Sequence, residues 1–290
     1  MSNTSFIQDE TDQSQSKQNT LGVQQDPIVV APLHISKPQL ALEDLQKEDA
    51  EIFKLANAST SATPPHLTYR GGPLIQNVEV YTIFWGSNWA ITATYTAMAT
   101  RINGFFSAIL SSSLIDQLAE YNTSAPHYTI GHGTLKGTKT ITAGTPAPGT
   151  TVTDAQLRIA LNSWIATYTV PAPTANSLYF IYTDVNVKVT MGGSASCTNF
   201  CGYHGNIGST YYSVMPFPTC NGCLGGLSAF NALTGTSSHE LCEAITDPIP
   251  GSGWYDNNYG EIGDICAWKF KSVAGYNVQL EWSNKFQKCV

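Results

Sequence analysis

Apolar and polar positions divide the chain after residue 65 into a regular succession of elements. In GGPLIQNVEVYTIFWGSNW, residues Val78, Val80, Tyr81, Ile83, Phe84 and Trp85 make a strongly β-prone run, the pattern of a central strand. Helical spacing predicts a helix from about Thr94 to Leu110 and a shorter one from Ser113 to Tyr121. Gly, Thr and Pro dominate IGHGTLKGTKTITAGTPAPGT, which reads as an edge hairpin and a loop. Asp154 is placed to N-cap a helix reaching Thr167, and LYFIYTD, Leu178 to Asp184, reads as a second buried strand. Strand, helix and strand in succession predict a layered α/β body. A short helix or turn at Leu227 to Leu233 precedes a helix opened by Ser237 and Ser238 and stopped by Pro248, and YNVQLEWSNKFQKC alternates like a terminal strand.

The first 65 residues have another character. Residues 1 to about 38 are polar, Gln/Ser-rich and without periodicity, which predicts disorder. From Pro38 to Asn57, Leu42, Leu45, Ile52, Phe53 and Leu55 recur at roughly helical spacing, as in a pro-segment helix or a helix packed on the body. The linker STSATPP, Ser59 to Pro65, marks the boundary, giving an N-terminal region of 1–65 and a domain of 66–290.

At 290 residues, the chain has ample material for a stable core. Only 12% of residues are charged, the formal net charge is -7, and Lys and Arg do not cluster, which excludes nucleic acid and anionic membrane as natural partners. No apolar run has transmembrane length. All seven cysteines, Cys197, Cys201, Cys220, Cys223, Cys242, Cys266 and Cys289, lie in the last third. A C-x3-C followed by a C-x2-C could make a zinc knot, but the Gly/Ser/Asn/Tyr-rich loops around them favour disulfides and hence a secreted protein. Cys266 and Cys289 bracket the final segment and would pair, leaving Cys242 as the odd thiol. The N-terminal MSNTSFIQDETDQSQSKQNTL has neither the basic start nor the apolar stretch of a Sec-type signal, so the expectation of export rests on the cysteines.

The chemistry concentrates in SSHELCEAITDP and the downstream WYDNNYGEIGDIC. On a helix, His239 and Glu243 share one face about 6 Å apart along the axis, a chelating geometry. Glu240 follows the histidine where H-E-x-x-H metallopeptidases keep the base that takes a proton from metal-bound water, although Glu243 stands in place of the second histidine. The plainer alternative is a helix whose charged groups are merely solvated. Against it, Glu240, Glu243, Asp247, Asp256, Glu261 and Asp264 make up about half of the acidic residues after residue 70. Unpaired, they would repel one another, and a bound cation relieves this. His204, in a Gly-flanked turn, is a weaker ligand candidate and more often a structural residue; His132 and His127 are weaker still.

RGGPLIQNVEVYTIFWG, CGYHG, SSHELCEAITDP, GWYDNNYGEIGDIC and YNVQLEWSNKFQKC, in this order over roughly residues 67 to 290, resemble the phosphate-induced, EXORDIUM-like protein family with its bacterial and fungal relatives. The helix also resembles the active-site helix of zincin metallopeptidases. These resemblances imply an α/β (α+β) fold: a single zincin-like domain with a mixed twisted sheet, an active-site helix and a disulfide-rich C-terminal third. They imply His239 and Glu243 as metal ligands and Glu240 as base. Glu261 or Asp264 would be the third ligand, with the other orienting His239, and Asp247 would not ligate. The expected ion is Zn2+, with Ca2+ the alternative. Two functions follow. One is a zinc-dependent hydrolase acting on a peptide or protein, with Tyr255 or Tyr211 donating to the oxyanion. The other is a non-catalytic extracellular protein that binds a cell-wall component and holds a structural ion. No G-x-S-x-G elbow supports serine catalysis, and Cys242 lies beside a carboxylate rather than a base.

Overall fold

The structure, a computed structural model, describes residues 30–32 and 63–290. Its main sheet is built in chain order from β1 (Val30–Pro32), β2 (Asn77–Trp85), β3 (Gly131–Ile141), β4 (Ser177–Thr183), β5 (Phe200–Ile207) and β6 (Thr210–Met215). Spatially the order is β1-β5-β6-β4-β2-β3. Strands β6, β4, β2 and β3 run parallel, while β5 and β1 add an antiparallel edge. Helix α1 (Ala93–Ile109) connects β2 to β3, α2 (Asp154–Ala166) connects β3 to β4, and α3 (Ala229–Thr246) follows β6. The hairpin β7 (Phe270–Val273) and β8 (Tyr276–Gln279) lies beyond α3.

All seven residues of β4 are buried, and its alternation shows why. Leu178, Phe180 and Tyr182 join Phe105, Phe106 and Leu241 in one hydrophobic cluster; Tyr179 and Ile181 join Leu157, Leu161 and Val214 in a second. The sheet is therefore covered by α1 and α3 on one face and by α2 on the other. Parallel strands buried on both faces need such nearly continuous apolar runs. The mixed α/β architecture expected from the sequence is present.

Several local expectations are corrected. The Gly/Thr-rich stretch expected to form an edge hairpin is one 11-residue strand, β3. Its glycines serve close approach rather than a turn, since a Cβ at Gly137 would meet Tyr81 Cε2 of β2 at 2.8 Å. Helix α3 begins about two turns before Ser237, capped by Ser228, whose Oγ accepts from the Asn231 N–H at 3.2 Å. Ser237 and Ser238 lie mid-helix with other partners: the Ser237 hydroxyl meets Tyr182 Oη at 2.8 Å, and Ser238 Oγ donates to the Gly235 carbonyl at 2.8 Å. Thr153, in a capping box with Gln156, caps α2 in place of Asp154. Asp154 Oδ1 instead accepts from the hydroxyls of Tyr203 (2.9 Å) and Tyr212 (2.7 Å).

Strand β1 falls inside the stretch expected to be disordered and pairs Val30 with Tyr203 of β5. The helix expected over Pro38 to Asn57 lies outside the described residues. Cys197–Cys220, Cys201–Cys223 and Cys266–Cys289 are disulfides and Cys242 is a buried free thiol, so the zinc-knot alternative fails for want of thiolates. Among the described residues no helix is long and apolar enough to cross a membrane.

Candidate metal centre

Four segments bring titratable side chains to one buried point. Helix α3 supplies His239, Glu240 and Glu243, and β5 supplies His204. The loop after residue 253 supplies Glu261 and Asp264, while β8 and the residues after it supply Gln279 and Glu281. Two glycines permit the approach. At Gly202 a Cβ would lie 2.7 Å from Thr236 Cγ2, so this glycine lets α3 sit close to β5. At Gly263 it would lie 2.6 Å from His239 Nδ1 and 2.9 Å from Glu243 Oε1, so the loop backbone rests directly on the helix's ligand face.

The i,i+4 spacing behaves as geometry requires. His239 Nε2 lies 3.0 Å from Glu243 Oε1, 3.9 Å from Glu240 Oε1 and 3.9 Å from Asp264 Oδ1. Glu243 Oε1 also accepts from the Asp264 N–H at 3.1 Å. The carboxylate is divided between two histidines, because Glu243 Oε2 points the other way and lies 3.6 Å from His204 Nδ1. His204 itself is ringed by acceptors: Glu240 Oε2 at 3.1 Å on Nδ1, and the Asp247 carbonyl at 3.1 Å and Glu261 Oε1 at 3.6 Å on Nε2. It is fully buried, at 0% exposure. With acceptors facing both ring nitrogens, a protonated His204 would be held between Glu240 and the Asp247 carbonyl.

Gln279 orients His239. The Trp268 N–H donates to its Oε1 at 3.2 Å and its Nε2 donates to the Gly263 carbonyl at 2.9 Å. That arrangement presents Nε2 to His239 Nδ1 at 2.7 Å, so Nδ1 accepts and the neutral ring carries its proton on Nε2, toward Glu243. Ligation through Nε2 would need the ring proton moved to Nδ1 and the amide turned end for end. Oxygen ligands need neither change.

Electrostatically the cluster holds an excess of acid. Burial raises the pKa of Glu261 well above the carboxylate range, and Glu243, Asp247 and Asp264 raise it further. Asp264 is pushed up to about 7 by burial and then by Glu243, against the pull of His239. Glu281 is raised well above its usual range, chiefly by burial. For His239 burial acts downward, but Glu243, Glu240 and Asp264 outweigh it and hold the ring well above its usual value; the same contest, led by Glu240, raises His204. Asp247 stands apart. Its carboxylate accepts from the N–H groups of Gly251 (2.6 Å), Ser252 (3.0 Å) and Gly253 (2.5 Å) and so fastens the turn after α3.

His239 Nε2, Glu243 Oε2 and the carboxylate oxygens of Glu261 and Glu281 have no partner in good hydrogen-bond geometry, although Asp247 lies against Glu261 and the Cys242 thiol against Glu281. The 3.0 Å separation of His239 Nε2 from Glu243 Oε1 is close without hydrogen-bond alignment. One ligand atom each from His239, Glu243 and Asp264, and one each from His204, Glu243 and Glu261, lie within 4.8 Å of one another. Such orphaned polar atoms are costly, and the carboxylate oxygens among them call for a cation or protons. Cys197, Cys220 and Cys223 also lie within this limit of one another, but they are oxidised.

The structure thus brings together His239, Glu240, Glu243, Glu261 and Asp264. Tyr255 stands at the margin: it is half-buried, Arg70 lies 4.3 Å over its ring, and burial and then Glu261 and Asp264 raise its hydroxyl pKa. Tyr211 is not part of the group; it packs in the core, where burial and then Tyr128 raise its pKa. His132 is exposed and pairs with Asp116 at 2.8 Å, and His127 lies in a short exposed hairpin. Sequence reasoning passed over Gln279 and Glu281. A signal for these two was present in YNVQLEW, where Asn277, Gln279 and Glu281 alternate with Val278, Leu280 and Trp282.

By fold and site, the chain is a mixed α/β domain with a buried cluster of imidazoles and carboxylates. No protein-family model matches it, and no curated protein matches it.

Proposed function

We propose that this protein binds one divalent cation at the cluster, and that the ion acts there as a structural clamp holding α3 to the Glu261–Asp264 loop. The observation that carries the reading is the group of buried acceptors without a partner in good hydrogen-bond geometry, Glu243 Oε2 and both Glu261 oxygens, beside Asp264. Their oxygen-rich character suits a hard ion such as calcium, and the Gln279 amide on His239 Nδ1 disfavours the imidazole ligation that zinc would seek. Burial supports a structural role, because His204, His239, Glu240, Glu243 and Glu261 are all 0–1% exposed. The three disulfides are consistent with an extracellular setting, and we place the protein there. Elemental analysis of purified protein tests the proposal. About one equivalent of a divalent ion, lost in Glu243→Gln, is the expected result; no ion in protein refolded with calcium, magnesium, manganese or zinc would overturn it.

A second reading is the zincin-like hydrolase. Two observations favour it: Glu240 Oε1 adjoins His239 Nε2, and Asp264, with 18% of its side chain exposed, gives the cluster one edge toward solvent. Here the ion would supply Lewis acidity toward a peptide carbonyl. Glu240, tied to His204, would accept the proton of the attacking water, and Tyr255 would face the developing oxyanion. Peptide-library cleavage by wild type, lost in Glu240→Gln at unchanged ion content, would establish this reading. No cleavage by wild type leaves the clamp.

A further inference from the structure

The parallel strands β2 and β3 finish beside an open groove of about 610 Å3, within the usual range for small-molecule sites. Trp85, the last residue of β2, lines it together with the segment after β3 and one side of α2. This position has a topological reason. Adjacent strands β2 and β3 send their connections to opposite faces, α1 into one core cluster and α2 into the other. Where neighbouring strands of an open α/β sheet diverge in this way, their carboxyl ends leave a crevice, and that is where such sheets bind ligands.

The lining sets the chemistry. Trp85 and Trp164 meet edge to face at 5.3 Å, and Ile159, 69% exposed, extends the apolar surface along α2. Beside them stand the hydroxyls of Thr145, Thr151 and Ser163, with Gln156 at the helix start. No Asp, Glu, Lys, Arg or His lines the groove, so nothing there would hold a phosphate, a carboxylate or an amine. The Trp85 indole N–H, buried, has no acceptor among the described residues. Aromatic surface interleaved with neutral hydroxyl and amide groups matches a ligand that has both apolar C–H faces and many uncharged hydroxyls.

We propose that the groove at the carboxyl ends of β2 and β3 binds a neutral saccharide, with Trp164 and Ile159 against the sugar's C–H face and the Thr/Ser/Gln side chains on its hydroxyls. The groove shares no lining residue with the buried acid–imidazole cluster, and the inference stands independently of the ion.

The test is titration of the full chain with cellohexaose, xylohexaose, mannohexaose and N-acetylchitohexaose, followed by tryptophan fluorescence and calorimetry. At least one should bind saturably with 1:1 stoichiometry. Ser163→Arg, placed at an exposed position so that folding is preserved, should weaken it about tenfold or more by obstructing the groove, and Trp164→Ala should do likewise by removing an aromatic anchor. The proposal is overturned if none of the four saturates below about 10 mM, a range weaker than ordinary specific recognition. It is equally overturned if Ser163→Arg binds as wild type does, or if the groove takes up only an apolar dye that none of the four sugars displaces.

Discussion

The buried acid–imidazole cluster and the strand-end groove are opposites built on one sheet. Around His239, charge is dense and space is lacking: carboxylates from α3 and the loop after residue 253 meet two imidazoles with almost no solvent contact. Around Trp85 there is space and no charge. Each arrangement has a different cost. Buried charge is tolerable only when compensated, so the cluster depends on what binds it. An open uncharged groove costs the fold little, and its ligand can come and go.

The largest effect should therefore come from the residue shared by both halves of the cluster. In Glu243→Ala, the Asp264 N–H loses its acceptor and His239 its nearest carboxylate, and a destabilisation of about 3–5 kcal/mol is expected by chemical denaturation, as when one member of a buried charged network is removed. A loss below about 0.5 kcal/mol, the level of ordinary surface substitutions, would mean that the cluster is not integral to the core. Next comes Gly263→Ala. Its Cβ would lie 2.6 Å from His239 Nδ1, so either the loop or the imidazole must move. Overpacking of this kind costs about 1–3 kcal/mol, and the variant should also bind its cation more weakly in a chelator competition.

Protons sharpen the comparison further. Asp264, Glu261 and Glu281 have pKa values above those of unfolded carboxylates, Asp264 at about 7. The folded, cation-free chain therefore binds more protons than the unfolded one between about pH 4 and 7, and its stability falls as pH rises through that window, by up to about 1.4 kcal/mol per pH unit for each group. His239 acts in the same direction. Its stabilising proton is fully held below about pH 6.5 and is lost as pH climbs through its raised folded value. A cation needs the deprotonated ligands, so it should flatten this slope and stabilise most above pH 7. Melting temperatures recorded in chelator and in excess cation decide the matter. A cation-free protein that gains stability from pH 4.5 to 7 would contradict the assignment of excess buried acid.

The two regions also differed in how plainly the sequence announced them. His239, Glu240 and Glu243 were legible because helical periodicity alone places i and i+4 on one face, and the crowding of Glu261 and Asp264 near them marked a shared need for compensation. Strands β2 and β4 were legible from their apolar runs. What stayed hidden depended on tertiary neighbours. Gly133 and Gly137 look like turn residues until Val78 and Tyr81 are found against them. Ser237 and Ser238 look like a helix start until Tyr182 and Gly235 prove to be their partners. His204 is separated from Glu240 by 36 residues, and no local pattern brings them together. The groove left less trace still, since it arises from the divergence of two connections and the tryptophans at its wall are distant in sequence.

The smallest expected effect tests whether the two regions are independent. Trp85, Val152 and Trp164 at the groove belong to the hydrophobic cluster on the α2 face or pack against it, whereas Leu241, Ile245, Ile262 and Cys266 around the acid–imidazole cluster belong to the other. The sheet between them is held by parallel ladders that have no reason to shift with a surface substitution. Ser163→Arg should accordingly change stability by no more than about 0.5 kcal/mol and leave cation affinity unchanged within about 0.5 kcal/mol, the ordinary limit of additivity for distant sites. Calcium or zinc titration of the two proteins measures it. Any coupling must be reciprocal, so a shift in cation affinity caused by a saccharide in the groove would have to reappear, equal in size, as a shift in saccharide affinity caused by the cation. Such a shift would show that the sheet transmits between its two faces, and the separation drawn here from the two core clusters would have to be given up.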